Sequence, residues 1–416
     1  MGKHSFDEKE TKRKRNEQDD YEALKRLREE EKNKTKTTVK REEYEEDYDD
    51  DDDYEEGKSK KGIVVLIILI LLICAGVGGY FGYKYYSSKQ NNNQNSEGTT
   101  EAMAEEPAVV VPEKQVQIYN GDQRPIACMI DNHKDAWPQF SINSAFTVYE
   151  IIVEGGETRL MALFQNKDLN VGPMRSSRHY FLDYALENDA IYAHIGWSPQ
   201  AQKDIPALGV NNINGLYFDT GRAYKEGDVF WRIYGNYVAP HNSISNTTAI
   251  RNAAAANGYR TTTSQSSVLH YVTDEVTLED KTDAVAASDV IIPFSTLQKV
   301  EFKYDATTQR YTRYARGIVQ KDATTGEDIT TKNIIITFAE NYTLSDGQNK
   351  GRQGLKNIGT QKGYYITNGK AIPITCTKNS RAEKTIYKDA SGNVIDVNDG
   401  NTFIEICPLN AAVSIQ

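Results

Sequence analysis

Apolar and polar residues fall along this chain in four unlike stretches. Residues 1–61 hold almost no large apolar side chains: runs such as Lys12-Arg13-Lys14-Arg15 give way to an acidic block from Glu42 to Glu56. High charge with few groups able to build a core predicts a disordered tail. From Gly62 to Tyr83 no side chain is charged, and Ile63 to Ile73 consists of Ile, Leu and Val. Wound as a helix, that length spans a hydrocarbon core of about 30 Å. Residues 84–114, rich in Asn, Gln, Ser and Glu, predict a flexible linker. Beyond them the pattern turns to short apolar runs separated by Gly, Asn, Asp and Pro, which predicts strands, tight turns and a few helices.

The charges beside the apolar span orient it. Lys58, Lys60 and Lys61 precede it, whereas Tyr80, Tyr83, Tyr85 and Tyr86 gather around a single Lys84 at its far end. Basic residues stay on the cytoplasmic side and Tyr favours the interface, so the N-terminus is expected in the cytoplasm and the region after the span outside the membrane. A cleaved signal fits poorly, because its basic region would be about 60 residues long and no small-x-small site closes the run. Ile73 before Cys74 also argues against a lipid-modified cysteine, which needs a small residue there. Residues 62–83 are therefore expected to remain as a single-pass anchor in the cell membrane.

Within the outer region, Arg124 to Ile130 reads as a buried strand ending at Asp131-Asn132-His133. Val148 to Val153 and Thr158 to Phe164 predict a hairpin around Glu154-Gly155-Gly156-Glu157, since paired glycines supply the positive φ of a tight turn. A two-residue turn would set Ile152 opposite Arg159 and place Glu150, Glu154 and Arg159 on one face. Such a face is either a solvated surface of ion pairs or a polar site.

Val171-Gly172-Pro173-Met174-Arg175-Ser176-Ser177-Arg178 then leads into a predicted helix from Ser177 to Leu186, with Ser176 or Ser177 as its N-cap. Two arginines, two hydroxyls and free N–H groups at a helix start would form an anion site; Ser caps and local ion pairs are the plainer reading. Ala190 to Ile195 predicts a buried strand that runs through Gly196-Trp197-Ser198-Pro199 into another helix. Strand, glycine loop and helix make an α/β pattern, whose sites collect at strand carboxyl ends. Asp131, His133, Arg175, Arg178, His194 and Ser198 would converge there, although a strand histidine such as His194 is often a core residue. Ser198 lacks the GxSxG context of a nucleophile elbow.

Arg232 and His241, in an aromatic loop-rich stretch before a helix near Thr247–Ala256, would complete a polar pocket or brace the loops. After about residue 286 come strands at 300–304, 310–315, 333–338, 364–367, 371–377, 384–387 and 402–406. The expected architecture is thus one transmembrane helix, an extracytoplasmic α/β (or α+β) domain over 115–258, a connector over 259–285 and a mainly β domain over 286–412.

Composition adds little to this picture. The formal charge of −10 sits largely in the tail. Cys128, Cys376 and Cys407 each lie in an apolar run, and either buried thiols or a Cys376–Cys407 disulfide would suit them. With no CxxC or HExxH pattern, no metal is expected, nor any cofactor or nucleic-acid partner.

The stretches RPIACMIDNH (124–133), VYEIIVEGGETRLMALF (148–164), VGPMRSSRHYF (171–181), AIYAHIGWSPQA (190–201) and APHN (239–242) resemble the YerB family of bacterial extracytoplasmic lipoproteins. GKAIPITCTK and YKDASGNVIDVNDGNTFIEI resemble its C-terminal domain. The resemblance covers roughly residues 115–412 and implies an outer location and a two-domain layout more than an activity. The chain departs from the family in its apolar span, in Trp197 where a second glycine is common, and in Cys376 in place of a tryptophan.

Three functional expectations follow. The first is a binder of an anionic envelope ligand, a wall polymer or lipid-linked phosphate, held by Arg159, Arg175 and Arg178 with Ser176, Ser177, Ser198, Arg232 and His241 as further contacts. The second is an enzyme acting on a phosphorylated envelope substrate through Asp131, Glu154 or His194. The third is a non-catalytic scaffold in which the charged tail and the outer domain each recruit a protein, the tail's partner being cytoplasmic. Catalysis needs the acids or His194 in the same cavity as the arginines, binding needs only the arginines, and a scaffold needs neither.

Overall fold

Strands carry this fold and helices are few. The structure, a computed structural model, describes residues 114–416 apart from Asn349. The charged tail, the 62–83 span and nearly all of the linker lie outside the described residues. Among the described residues, no helix is long and apolar enough to cross a membrane.

The first half supplies β1 (Ile126–Asp131), β2 (Thr147–Ile152), β3 (Thr158–Phe164), β4 (Asn170–Val171), β5 (Ile191–His194), β6 (Asn212–Asn214), β7 (Phe230–Arg232) and β8 (Ser243–Asn246). All six residues of β1 are buried, as its unbroken run IACMID predicts for a strand covered on both faces. It pairs antiparallel with β3 and parallel with β5, so the sheet changes direction at β1. β5 continues parallel to β6, and the helix Pro199–Ala207 connects the two. β4, β8 and β7 form a small separate sheet.

The second half completes the same main sheet. Thr402–Pro408 lies parallel to β2 on one side and to Asn333–Thr343 on the other. Gly359–Thr367 and Lys370–Lys378 extend the order outward, making a twelve-stranded sheet that ends at β6. Segments that read as separate along the sequence therefore share one sheet. One face is covered by a six-stranded sheet that brings Val290, Ile292, Val300 and Phe302 onto Val148, Leu160, Ile334 and Phe403, with the helix Thr247–Ala256 beside it. The other face packs Phe181, Leu182 and Ala185 of the helix Phe181–Glu187 against Met129, Tyr149, Ile151 and Met161.

Two local expectations are corrected. The β2–β3 loop holds three residues, Glu154 to Gly156, and the Val153 N–H donates to the Glu157 carbonyl at 2.8 Å. Gly155 and Gly156 both take positive φ, but the extra residue moves the register so that Arg159 faces Ile151 and Leu160 faces Glu150. Side chains alternate across a sheet, so Glu150 and Arg159 lie on opposite faces. The predicted helix at Ser177 begins instead at Phe181, for reasons given below. Cys128, Cys376 and Cys407 are buried free thiols, which settles the disulfide alternative.

Candidate functional site

The β1 strand delivers Asp131 to its carboxyl end with the side chain 6% exposed. Its Oδ2 accepts from His241 Nδ1 at 2.7 Å and faces Arg175 Nε at 3.3 Å; Oδ1 accepts the His133 backbone N–H at 3.0 Å. Burial alone would raise this carboxyl, yet the His241 hydrogen bond and the Arg175 charge outweigh it and hold the pKa below its ordinary value. The imidazoles of His133 and His241 stack with centroids 4.4 Å apart. His133 Nδ1 accepts from the Asp135 N–H at 3.3 Å, and its Nε2 lies 3.9 Å from Glu157.

Arg159 stands directly opposite Asp131 in the β1–β3 register. It is buried, donates to the Ser176 carbonyl and leaves its Nε without a partner. Burial, reinforced by the charges of Arg178 and Arg175, lowers its pKa to about 9. Arg178 grips both oxygens of Glu154 at 2.6 and 2.8 Å and also donates to the Ser177 carbonyl. Burial opposes ionisation of Glu154, but this fork keeps its carboxyl below the usual range. Arg316 pairs with Glu157 and lies over the Trp137 ring. Four guanidiniums (Arg159, Arg175, Arg178, Arg316) thus lie among four carboxylates (Asp131, Asp135, Glu154, Glu157).

Arg175 differs from its neighbours. Its side chain is 27% exposed, Asp131 is its ion-pair partner, and its guanidinium makes no hydrogen bond to any described residue. Its backbone explains why no helix starts here. The Arg175 N–H bonds to Met129 of β1 and its carbonyl accepts from Ile195 after β5; Ser177 likewise bonds to Gly196 and Ser198. With residues 175–177 stitched between β1 and the end of β5, the chain cannot coil until Phe181, and Tyr180 at the cap has no capping side chain. The Ser177 hydroxyl accepts from Tyr192 at 2.9 Å instead of capping. The expected helix start at Ser177, with Ser176 or Ser177 as its cap, is therefore corrected: the helix begins at Phe181, and the Phe181 N–H bonds to the Arg178 carbonyl.

The other expected residues have local tasks. His194 is fully buried between the Gly196 carbonyl at 2.8 Å and Asn212 at 3.2 Å, and burial lowers its pKa to about 4. It is the core histidine, apart from the arginines. Ser198 caps the helix Pro199–Ala207 by accepting from the Ala201 N–H. Arg232 pairs with Asp219 and donates to Asn242, so it braces the loop that carries His241. Ser176 sits against Gly196, where a Cβ would come 3.0 Å from the Ser176 Oγ. Glu150, on the far face, bonds to Asn132 and Thr158.

His133, Asp135 and Glu157 gain importance that the sequence reading did not give them as a group. The one local signal was His133-x-Asp135 directly after a strand end; nothing in the chain announces that His241 stacks on it.

Comparison with known proteins finds relatives of this chain. The N-terminal and C-terminal domain models of a protein of unknown function (DUF3048) match residues 112–260 and 290–404. A Bacillus subtilis (strain 168) protein named "Putative lipoprotein YerB" is 30% identical over 307 residues, covering 71% of this chain and 84% of its own length. The crystal structure of YerB protein from Bacillus subtilis matches with a TM-score of 0.60 at 28% identity, over 73% of this chain and 97% of that one.

Proposed function

This chain belongs to the DUF3048 family and is related to YerB, and on that premise we propose that it is an envelope protein whose outer region binds an anionic ligand at Arg175, of the wall-polymer or lipid-linked phosphate kind. The observation that carries the reading is the partly exposed guanidinium of Arg175, which is ion-paired with Asp131 but makes no hydrogen bond to any described residue. Arg178 and Arg159 shape and charge the site, being already engaged by Glu154 and by Ser176. The relative's name as a lipoprotein supports an outer location, with residues 62–83 as the means of attachment here. Catalysis draws less support, because Asp131 and Glu154 are both held by cations and His194 faces its own backbone.

Calorimetric titration of the 416-residue chain with pyrophosphate tests this. A charge-assisted hydrogen bond contributes on the order of 1.5–3 kcal/mol, so Arg175→Ala should weaken binding by roughly tenfold or more. Arg175→Lys should recover only part, since an ammonium lacks the forked donors. Arg178→Ala should lower the melting temperature, having stranded Glu154. If wild type binds neither pyrophosphate nor a phosphorylated wall-polymer fragment, or if Arg175→Ala binds as well as wild type, the reading fails.

A further inference from the structure

We propose that His133, Asp135 and His241 form a binding site for one divalent transition-metal ion of the Zn²⁺ or Co²⁺ class, at the carboxyl end of β1. One donor atom from each of the three lies within 4.8 Å of the others. Two imidazoles and a carboxylate suit such ions and leave a coordination position open to solvent or to a further ligand.

A second observation comes from behind the histidine. Asp131, nearly buried and fixed by the His133 N–H, accepts the His241 Nδ1–H at 2.7 Å. That hydrogen bond fixes the tautomer with its lone pair on Nε2 and turns this nitrogen away from Asp131. A carboxylate behind a histidine is the arrangement that orients metal-bound imidazoles and raises their basicity.

Ligands bound at about 2.0–2.2 Å to one ion sit roughly 3–3.5 Å apart, so the three groups must close by about 1 Å or more. They have room to do so. The side chains of His133, Asp135 and His241 are 30%, 40% and 14% exposed, and the bond holding His133 Nδ1 is a long 3.3 Å. Stacked rings cannot both aim in-plane lone pairs at one ion. Coordination therefore exchanges the stacking contact for two metal–nitrogen bonds, with His133 turning about its side-chain torsions. Glu157, paired with Arg316, lies 3.9 Å from His133 Nε2 on that side.

The test uses the 416-residue chain, stripped with EDTA and kept free of phosphate, so its outcome does not depend on the Arg175 reading. Titration with Co²⁺ should give visible d–d absorption saturating at one equivalent and abolished by Zn²⁺. His241→Ala and His133→Ala should each remove that absorption. Asp131→Asn, a change in a positioning residue, should weaken affinity about tenfold to a hundredfold without removing the band. Because the alanine variants could fail to fold, the imidazole nitrogen resonances of wild type supply a second readout: Zn²⁺ should shift Nε2 of His241 and leave His194 unmoved. The proposal is overturned if the Co²⁺ signal survives both histidine substitutions, as binding by the Asp49–Asp53 run would produce, or if Zn²⁺ leaves the His241 resonance in place.

Discussion

Glu150 of β2 and Glu405 of the Thr402–Pro408 strand lie directly opposite each other, both without exposed surface. Arg313 Nη2 stands 2.6 Å from Glu150, while neither oxygen of Glu405 has a hydrogen-bond partner. Burial, together with the charge of Glu150, pushes the Glu405 carboxyl well above its ordinary value of 4.5, which favours its neutral form.

Glu405→Gln should accordingly change stability by no more than about 1 kcal/mol near pH 5, whereas Glu150→Gln should cost about 3 kcal/mol or more by leaving Arg313 buried without its counter-charge. The pH dependence separates the two further. A carboxyl whose folded pKa is raised supports folding below its unfolded pKa and loses that support as pH rises toward the folded value. Glu405→Gln has no such loss, and should gain on wild type as pH climbs from 4.5 to neutrality. Urea unfolding across that range decides it; a variant that falls behind wild type would mean an ionised Glu405.

A second buried pair joins the two halves of the chain. Lys378 Nζ lies 2.7 Å from Glu187, with both side chains at most 1% exposed, and Glu187 also accepts from Tyr149 and Thr385. Lys378→Met should cost about 3–5 kcal/mol, because it strands a carboxylate. Adding Glu187→Gln should restore part of that loss in the double variant, and denaturant midpoints of all three would show it. Strict additivity of the two single changes would exclude a coupled pair.

His194 predicts an acid response. Unfolded histidine protonates near pH 6.5 and the buried ring only near pH 4, so the unfolded chain binds the extra proton between those values. Stability present above pH 6.5 should be lost as pH falls toward 4, by about 3 kcal/mol at most from this group. His194→Gln should flatten that part of the curve, whatever its offset. An unchanged slope between pH 6.5 and 4 would exclude His194 as the source.

What could be read without coordinates was local. Thr158–Phe164, Arg310–Ala315 and Thr247–Ala256 form where alternation, turn residues and helical spacing placed them, because neighbours in sequence decide those patterns. Gly155-Gly156 announced a turn but suits loops of two or three residues alike, and that ambiguity reversed the face of Arg159. Ser176 and Ser177 looked like caps because nothing nearby shows their backbone bonding to Met129 and Gly196. The pairing of β2 with Thr402–Pro408, and of Asp131 with His241, is made by residues far apart in the chain, and only the completed fold brings them together.

The place of Thr402–Pro408 between β2 and Asn333–Thr343 also bears on how the protein comes into being. Synthesis runs from the N-terminus, so β2 is made early and the strand that covers its edge is made late. Until then β2 and Asn333–Thr343 each offer a row of unpaired N–H and C=O groups, a template for stray association. A polypeptide interrupted before residue 402 would keep two open edges where the sheet should be continuous. Its fate would be capture by chaperones, degradation or aggregation, with no working N-terminal half left behind.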